Sequence, residues 1–317
     1  MFSSLGTRWR TFTVSPEGLR RVAVIALAGL FAVVLTGTVV RLTGSGLGCD
    51  NWPRCGNTPF PEKGVHAFVE FGNRVIALIA IGLTVVCAVA SRRVPGLPRR
   101  VSRLAALVAV GTVAQIPLGG ATVILGLNPF AVMSHFLLAL AILGVAVLMA
   151  LEAGAFARGR GDSSAPRGLG WLSLALLPVC LANIVTGAFV TAAGPHPGSL
   201  DVSRLGNVAD AAYIHVRATA VFGVGFLVLL TALARRRREA RTELTLAIGV
   251  LILLLAQMGL GEYQWRSGVP SGAVLAHVAL AAAVWSGLVT LSVRLVWAAG
   301  LTRSAALRHA MPAPRLP

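Results

Sequence analysis

Charged side chains are scarce in this chain. Asp, Glu, Lys and Arg make up 12% of its 317 residues, whereas an average soluble domain contains about 25%. Hydrophobic residues contribute 56%, and the mean hydropathy is +0.79. This composition excludes an ordinary soluble domain and predicts an integral membrane protein.

Acidic residues are the scarcest charged group, with 11 Asp and Glu against 28 Lys and Arg and a net charge of +17. Most arginines lie at the two ends of the chain and in the stretches 92–103, 158–167 and 235–241. The alternate connections contain only Arg41, Arg54, Lys63, Arg204 and Arg266. This asymmetry predicts that both termini lie in the cytoplasm. The basic surface would then face anionic lipid, and we expect no nucleic-acid partner.

Eight apolar stretches are long enough to cross a bilayer, which needs about 20 residues. They run over residues 22–43, 67–91, 103–126, 130–151, 170–192, 208–234, 243–263 and 272–299. Because lipid satisfies no backbone hydrogen bond, such stretches form helices. The predicted fold class is an all-α polytopic membrane protein with eight transmembrane helices.

The second half of the chain repeats the first. A shift of 142 residues places His135 on His277 and Gln115 on Gln257. Each half contains four helices, so we expect two four-helix bundles of the same orientation, a parallel repeat. The predicted boundaries are 1–154 for the N-terminal half, 155–169 for a cytoplasmic linker, 170–300 for the C-terminal half and 301–317 for a cytoplasmic tail.

The same shift places Asn73 on His215, so three histidines and one asparagine occupy equivalent positions. All four lie roughly 10 Å below the outer interface at 1.5 Å per helical residue. Two histidines on neighbouring helices can supply both axial ligands of a haem iron. We therefore predict a bis-histidine site between His215 and His277. The alternative is a set of histidines that only form hydrogen bonds between helices.

Glu70 lies three residues before Asn73 on the same helix face. A carboxylate inside a membrane span often marks a reaction or proton path, although a glutamate in the headgroup zone can be harmless. Its repeat partner is Ala212, so the acid belongs to the first half alone. Arg74 and Arg217 also lie inside the spans and need anionic partners. Haem propionates are one candidate; Glu70 or a backbone carbonyl is the other.

Cysteine is rare, with four residues in the chain. Cys49 and Cys55 lie in the first outer loop, where an oxidising environment predicts a disulfide that closes a small loop. Their spacing does not tell a structural disulfide from a redox-active one. Two cysteines alone lack the ligands for a metal site. Cys87 and Cys180 lie within apolar spans, where we expect ordinary packing.

Several segments, taken together, resemble the haem A synthase family of cytochrome oxidase assembly. They extend from the first helix to the last: TGTVVRLTGSGLGC, CDNWPRC, VEFGNR, AQIPLGGATV, MSHFLLA, IHVR, AQMGLG and LAHVALA. The resemblance implies oxidation of the C8 methyl group of haem O to the formyl group of haem A by successive hydroxylations. The cysteine pair resembles the loop disulfide of Gram-positive members.

The resemblance also implies two different haem sites. The second half would hold a haem b cofactor between His215 and His277. The first half would take the substrate haem O, with His135 as iron ligand and Glu70 as a catalytic acid.

Asn73 departs from the family pattern, which has histidine in an E-x-x-H-R run. Asparagine is a poor iron ligand, so the substrate haem would be five-coordinate through His135 or ligated by another group. His66, two helical turns away, and Glu70 are the alternatives. An open coordination position suits a haem that must react or be released.

Two other classes of protein share some of these features. A di-haem electron carrier of cytochrome b type would be favoured by four histidines rather than three. A transporter with parallel repeats would have broken helices near the bilayer centre. For a haem A synthase we expect a bacterial plasma membrane location with haem sites toward the outer face. A haem O-producing farnesyltransferase and an electron donor are the expected partners, and homo-oligomerisation is left open.

Overall fold

Eight long helices form the part of the chain that the computed structural model describes, namely residues 12–49, 51–56, 60–61, 64–159, 167–199 and 202–298. The helices are α1 Pro16–Leu42, α2 Val65–Ser91, α3 Arg99–Ile124, α4 Pro129–Ala157, α5 Arg167–Ala193, α6 Val208–Arg235, α7 Arg241–Arg266 and α8 Ser271–Ala298. Each is long and apolar enough to cross a membrane. The predicted all-α polytopic fold is confirmed. The expected location of the termini concerns residues 1–11 and 299–317, outside the described residues.

Side-chain caps determine where two of the helices begin. The Asn128 side chain accepts a hydrogen bond from the backbone N–H of Phe130 at 3.0 Å, and Asn207 does the same for Ala209 at 2.7 Å. Asparagine is a favoured N-cap because its oxygen satisfies a free N–H of the first turn. These caps fix the starts of α4 and α6, and with them the depth of the histidines that follow.

The helices pack in the same order in both halves. In the first half α1 contacts α2, α2 contacts α3, α3 contacts α4, and α4 returns to α1; α5 to α8 repeat this closed ring. The halves meet where α4 contacts α8, with α1 against α8 and α4 against α5 on either side. A parallel repeat would produce this order. The predicted boundaries stay a prediction, since residues 160–166 of the expected linker and the 301–317 tail lie outside the described residues.

The loops of the two halves are also linked, at the end of the bundle where α1 ends and α2 begins. This end is here named the disulfide end, because it carries Cys49 and Cys55. Arg41 at the end of α1 donates hydrogen bonds to the carbonyls of Thr191 and His196 in the second half. Gly46 N donates to Gly198 O at 2.9 Å. The first loop is therefore held by the second half as well as by its own helices.

Trp285 of α8 packs into the surface of α4 at the contact between the halves. Its indole Nε1 donates to the Leu140 carbonyl at 2.9 Å. A Cβ atom on Gly144 would lie 2.8 Å from that nitrogen, so only glycine leaves room for the ring. The contact therefore depends on the missing side chain at Gly144.

We predict that Gly144→Ala destabilises the protein, because the new methyl group overpacks against Trp285 at a cost of about 1–3 kcal/mol. Gly249→Ala on α7 is the control: it meets nothing within 4 Å and should gain stability from its better helix propensity. The measurement is the Tm of the two purified variants in detergent. Equal Tm changes would contradict the tight contact.

Candidate haem site

Four side chains project from equivalent positions near the starts of the even-numbered helices, six to eight residues after each helix begins. Each lies against a glycine of the preceding helix. Each distance runs from the place that a glycine Cβ atom would occupy to the nearest atom of the side chain. The distances are 4.0 Å for Asn73 at Gly37, 3.2 Å for His135 at Gly119, 3.0 Å for His215 at Gly187 and 3.3 Å for His277 at Gly261. All four are half-buried. The structure therefore brings the four sequence-predicted positions to one depth.

A threonine determines the proton position on His215. Thr186 Oγ1 donates to the Asn183 carbonyl at 2.8 Å and lies 3.1 Å from His215 Nδ1. Since its only proton is used, the hydroxyl oxygen accepts the Nδ1–H of the imidazole. The other ring nitrogen, Nε2, then carries the lone pair that an iron ion needs.

Asn73 is held by Thr36, the threonine equivalent to Thr186, but the hydrogen bond runs in the opposite direction. Thr36 Oγ1 donates to Asn73 Oδ1 at 2.7 Å. The amide oxygen is therefore engaged, and the remaining amide nitrogen has no lone pair for a metal. Asn73 fills the place of an imidazole without the ability to bind iron.

The helices that carry each pair lie diagonally across their ring. Among the described residues, no Cα atom of α2 lies within 8 Å of α4, and none of α6 within 8 Å of α8. Each pair of side chains is therefore carried by two helices that do not contact each other, and each side chain lies against the helix that precedes it.

This donor set fits a haem iron in the second half. His215 and His277, on diagonal helices of one ring, are the pair of imidazoles that would hold a haem iron between those helices. The ring of His277 makes no hydrogen bond among the described residues, its buried Nδ1 included, so nothing there engages its Nε2. The first half offers one imidazole, His135, and the amide of Asn73.

Glu70 and Arg74 hold the first loop against α2. Glu70 is 4% exposed; its Oε2 accepts from Cys49 N at 2.8 Å, and its Oε1 lies 2.5 Å from Arg74 Nη2. Arg74 Nη1 donates to the carbonyls of Pro53 and Arg54 at 3.0 and 2.9 Å. Of the alternatives predicted for Arg74, the structure therefore shows internal pairing with both Glu70 and backbone carbonyls. The predicted Cys49–Cys55 disulfide is present and closes this loop.

The same loop places an indole beside the first-half site. Ring atoms of Trp52 lie 2.8 Å from where a Cβ of Gly120 would be. Gly120 follows Gly119, the residue against which His135 packs. The equivalent residue in the second half is Glu262, which pairs with Arg266 at 2.5 Å. Trp52 of the described loop therefore lies beside the first site.

His66 and Arg217 lie apart from the ligand positions. His66 is exposed at the start of α2, where its Nδ1 lies 2.9 Å from Ser45 Oγ, and it is about 10 Å along the helix from Asn73 at 1.5 Å per residue. The guanidinium of Arg217 stacks 3.0 Å above the Tyr213 ring and is exposed. Arg217 is therefore the more accessible of the two arginines predicted to meet propionates.

Comparison with known proteins identifies the family. Residues 20–67 and 58–196 match the model of a family described as cytochrome oxidase assembly protein, over more than half of the chain. The chain belongs to this family.

Relatives of this chain, among them the three that follow, carry the name Heme A synthase. The protein of Alkalihalophilus pseudofirmus is 27% identical over 177 residues, 54% of this chain and 59% of the relative. That of Shewanella oneidensis is 26% identical over 320 residues, 84% and 94% of the two chains. That of Symbiobacterium thermophilum is 33% identical over 139 residues, 44% and 45%. The chain spans about half the length of most relatives that it matches.

Sequence reasoning missed the residues that support the ligand positions. Thr36-Gly37 and Thr186-Gly187 occur within similar segments, VLTGTVV and IVTGAFV, related by a shift of 150 residues. That shift differs from 142 because the loops after α1 and α5 differ in length. The repeated Thr-Gly pair was the available signal. Nothing in the local sequence indicated that Trp52 contacts Gly120.

We predict that Arg74→Met strongly destabilises the protein, because it leaves the buried Glu70 carboxylate without a cation, at a cost of about 3–5 kcal/mol. Adding Glu70→Gln to Arg74→Met should restore part of the loss. Arg266→Met is the matched control: it removes an exposed Glu–Arg pair of the same i,i+4 spacing, which contributes about 0–1 kcal/mol. The measurement is the Tm in detergent, and equal losses in both single variants would contradict the proposed anchor.

Proposed function

We propose that this protein is a haem A synthase, which oxidises the C8 methyl group of haem O to the formyl group of haem A by successive hydroxylations. One observation carries the proposal: two matched sets of ligand positions, of which the second has two imidazoles and the first has one. The printed name of its relatives, Heme A synthase, supports the same activity. A protein built only for electron transfer would have no reason to lose the ligand at Asn73.

The second half is proposed to hold haem b between His215 and His277. When bound, this cofactor supplies one-electron transfer. With both histidines holding its iron, this haem would have no position left for a substrate. Thr186 holds the Nδ1 proton of His215, which would leave Nε2 to bind the iron.

The first half is proposed to bind substrate haem O through His135. Asn73, tied to Thr36, leaves the opposite coordination position without a protein ligand. Glu70, one turn from Asn73, is the proposed catalytic residue, since a carboxylate there can hold or pass a proton. The disulfide loop and Trp52 would limit the access of water to this site. In the second half, Arg217 is proposed to bind a propionate of the haem b cofactor.

The proposed organisation follows from these two sites. Residues 1–154 would form the substrate half and 170–300 the cofactor half, joined by a cytoplasmic linker at 155–169 and followed by a tail at 301–317. The disulfide end would face the outside of a bacterial plasma membrane. An electron donor and the enzyme that makes haem O are the expected partners; a homo-oligomer is compatible with this arrangement.

We predict that His215→Ala and His277→Ala lose most of the haem b of the purified protein, because each removes an axial ligand. His135→Ala should keep haem b and lose conversion of haem O. The control is His196→Ala, whose imidazole bonds to the Val269 carbonyl in the loops. The measurements are the pyridine haemochrome spectrum and chromatography of the haems extracted from a host that makes haem O but no haem A. Haem b without any formyl-bearing haem in the wild-type preparation would point to the electron carrier instead.

We also predict that Asn73→His increases the amount of haem retained by the first half. Thr36 can accept the Nδ1–H of the new imidazole as Thr186 does for His215, so a second axial ligand becomes available. The added haem should be low-spin in electron paramagnetic resonance, with conversion of haem O retained, whereas Asn73→Leu should add no low-spin signal. An unchanged haem content in the histidine variant would contradict the assigned position.

A further inference from the structure

Two glutamines lie on the helices against which the two histidines without a threonine partner pack. Gln115 of α3 and Gln257 of α7 are related by the 142-residue repeat. Each lies four residues before the glycine that contacts a histidine, Gly119 or Gly261. Residues four apart share a helix face. Each glutamine is therefore on the face of α3 or α7 that meets His135 or His277.

The same two atoms lack a hydrogen bond in both halves. Among the described residues, the buried side-chain atoms without a partner include His135 Nδ1 with Gln115 Oε1, and His277 Nδ1 with Gln257 Oε1. Leaving such a group unsatisfied costs about 1–3 kcal/mol. In each pair the histidine Nδ1 can carry a proton, whereas the glutamine Oε1 can only accept a hydrogen bond. If these atoms were unpaired only because of poor packing, we would not expect the same donor and acceptor to be unpaired in both halves.

The orientation of the Gln115 amide supports this pairing. Its Nε2 donates to the backbone carbonyl of His135 at 3.2 Å. That bond identifies which end of the amide is nitrogen, since an oxygen there would face another oxygen. The Gln115 side chain is thus already fixed to the residue whose ring has the unpaired nitrogen, with its oxygen still available.

We propose that Gln115 and Gln257 are positioning residues that accept the Nδ1–H of His135 and His277, so that Nε2 of each ring binds iron. This inference rests on the proposed haem ligation. Thr186 already plays the equivalent part for His215. Each histidine would then have its proton position set by the helix whose glycine it packs against.

A glutamine in this role influences the iron through the imidazole. A stronger acceptor at Nδ1 makes the ring more basic, which favours ferric iron and lowers the midpoint potential. A glutamine that served only to pack α7 against α8 would have no such effect. The potential therefore separates a positioning role from a structural one.

The test uses the full-length purified protein with its haem and compares wild type with Gln257→Leu and Gln257→Glu. The midpoint potential of haem b, titrated by absorption, should be highest with leucine, intermediate with glutamine and lowest with glutamate. Gln264→Leu, further along α7, is the control and should leave the potential unchanged. If the leucine variant retains no haem, the proposal is tested by the midpoint potentials of the wild type and of Gln257→Glu alone.

The reciprocal variant separates the two halves. Gln115→Leu should leave the haem b potential unchanged and weaken the retention of haem O by about 10–100-fold, the usual effect of removing a group that supports a metal ligand. Equal potentials across the Gln257 series, with haem b present, would overturn this proposal and leave the proposed function intact. Absence of haem from the wild-type protein would instead overturn the proposed function.

Discussion

The close approach of helix backbones to four side chains is the constraint on which this architecture depends. Each ligand position lies against a glycine, at distances that a β-carbon would make too short for the three histidines. Because the ring rests on backbone, its depth is set by two helices rather than by one flexible side chain. The groups that support it, a threonine or a glutamine, can then come from the same neighbouring helix.

One scaffold supports two sites of different chemistry because only a few residues differ between the halves. Asn73 of the first half occupies the position that His215 occupies in the second half. Thr36 is hydrogen-bonded to Asn73, and Thr186 is hydrogen-bonded to the imidazole of His215. Glu70 stands where the second half has Ala212, and it anchors the loop whose Trp52 lies beside the first site. The common backbone keeps the geometry equal, so the difference in function is proposed to arise from ligation and from access to solvent.

Most of the fold was predictable because lipid imposes one rule on every span. Apolar stretches of sufficient length must be helices, and all eight were found. Their ends were not predictable from hydropathy: α4 continues past Glu152 to Ala157, since helical hydrogen bonding does not stop where apolar residues stop. The partners of Arg74 were also left open, because a propionate and a loop carbonyl satisfy a guanidinium equally well.

The sequence by itself determined the residue types at the four positions, their equivalence by repeat and their common depth, because helical rise and the repeat register depend only on numbering. The tertiary structure decided which helices are diagonal, which glycine each ring meets and which hydroxyl sets the proton on His215. These contacts join helices that are separate in the chain. The sequence pattern of one helix does not show which face of the neighbouring helix it contacts. The placement of Trp52 beside the first site has the same origin: a loop is positioned by the surface on which it rests.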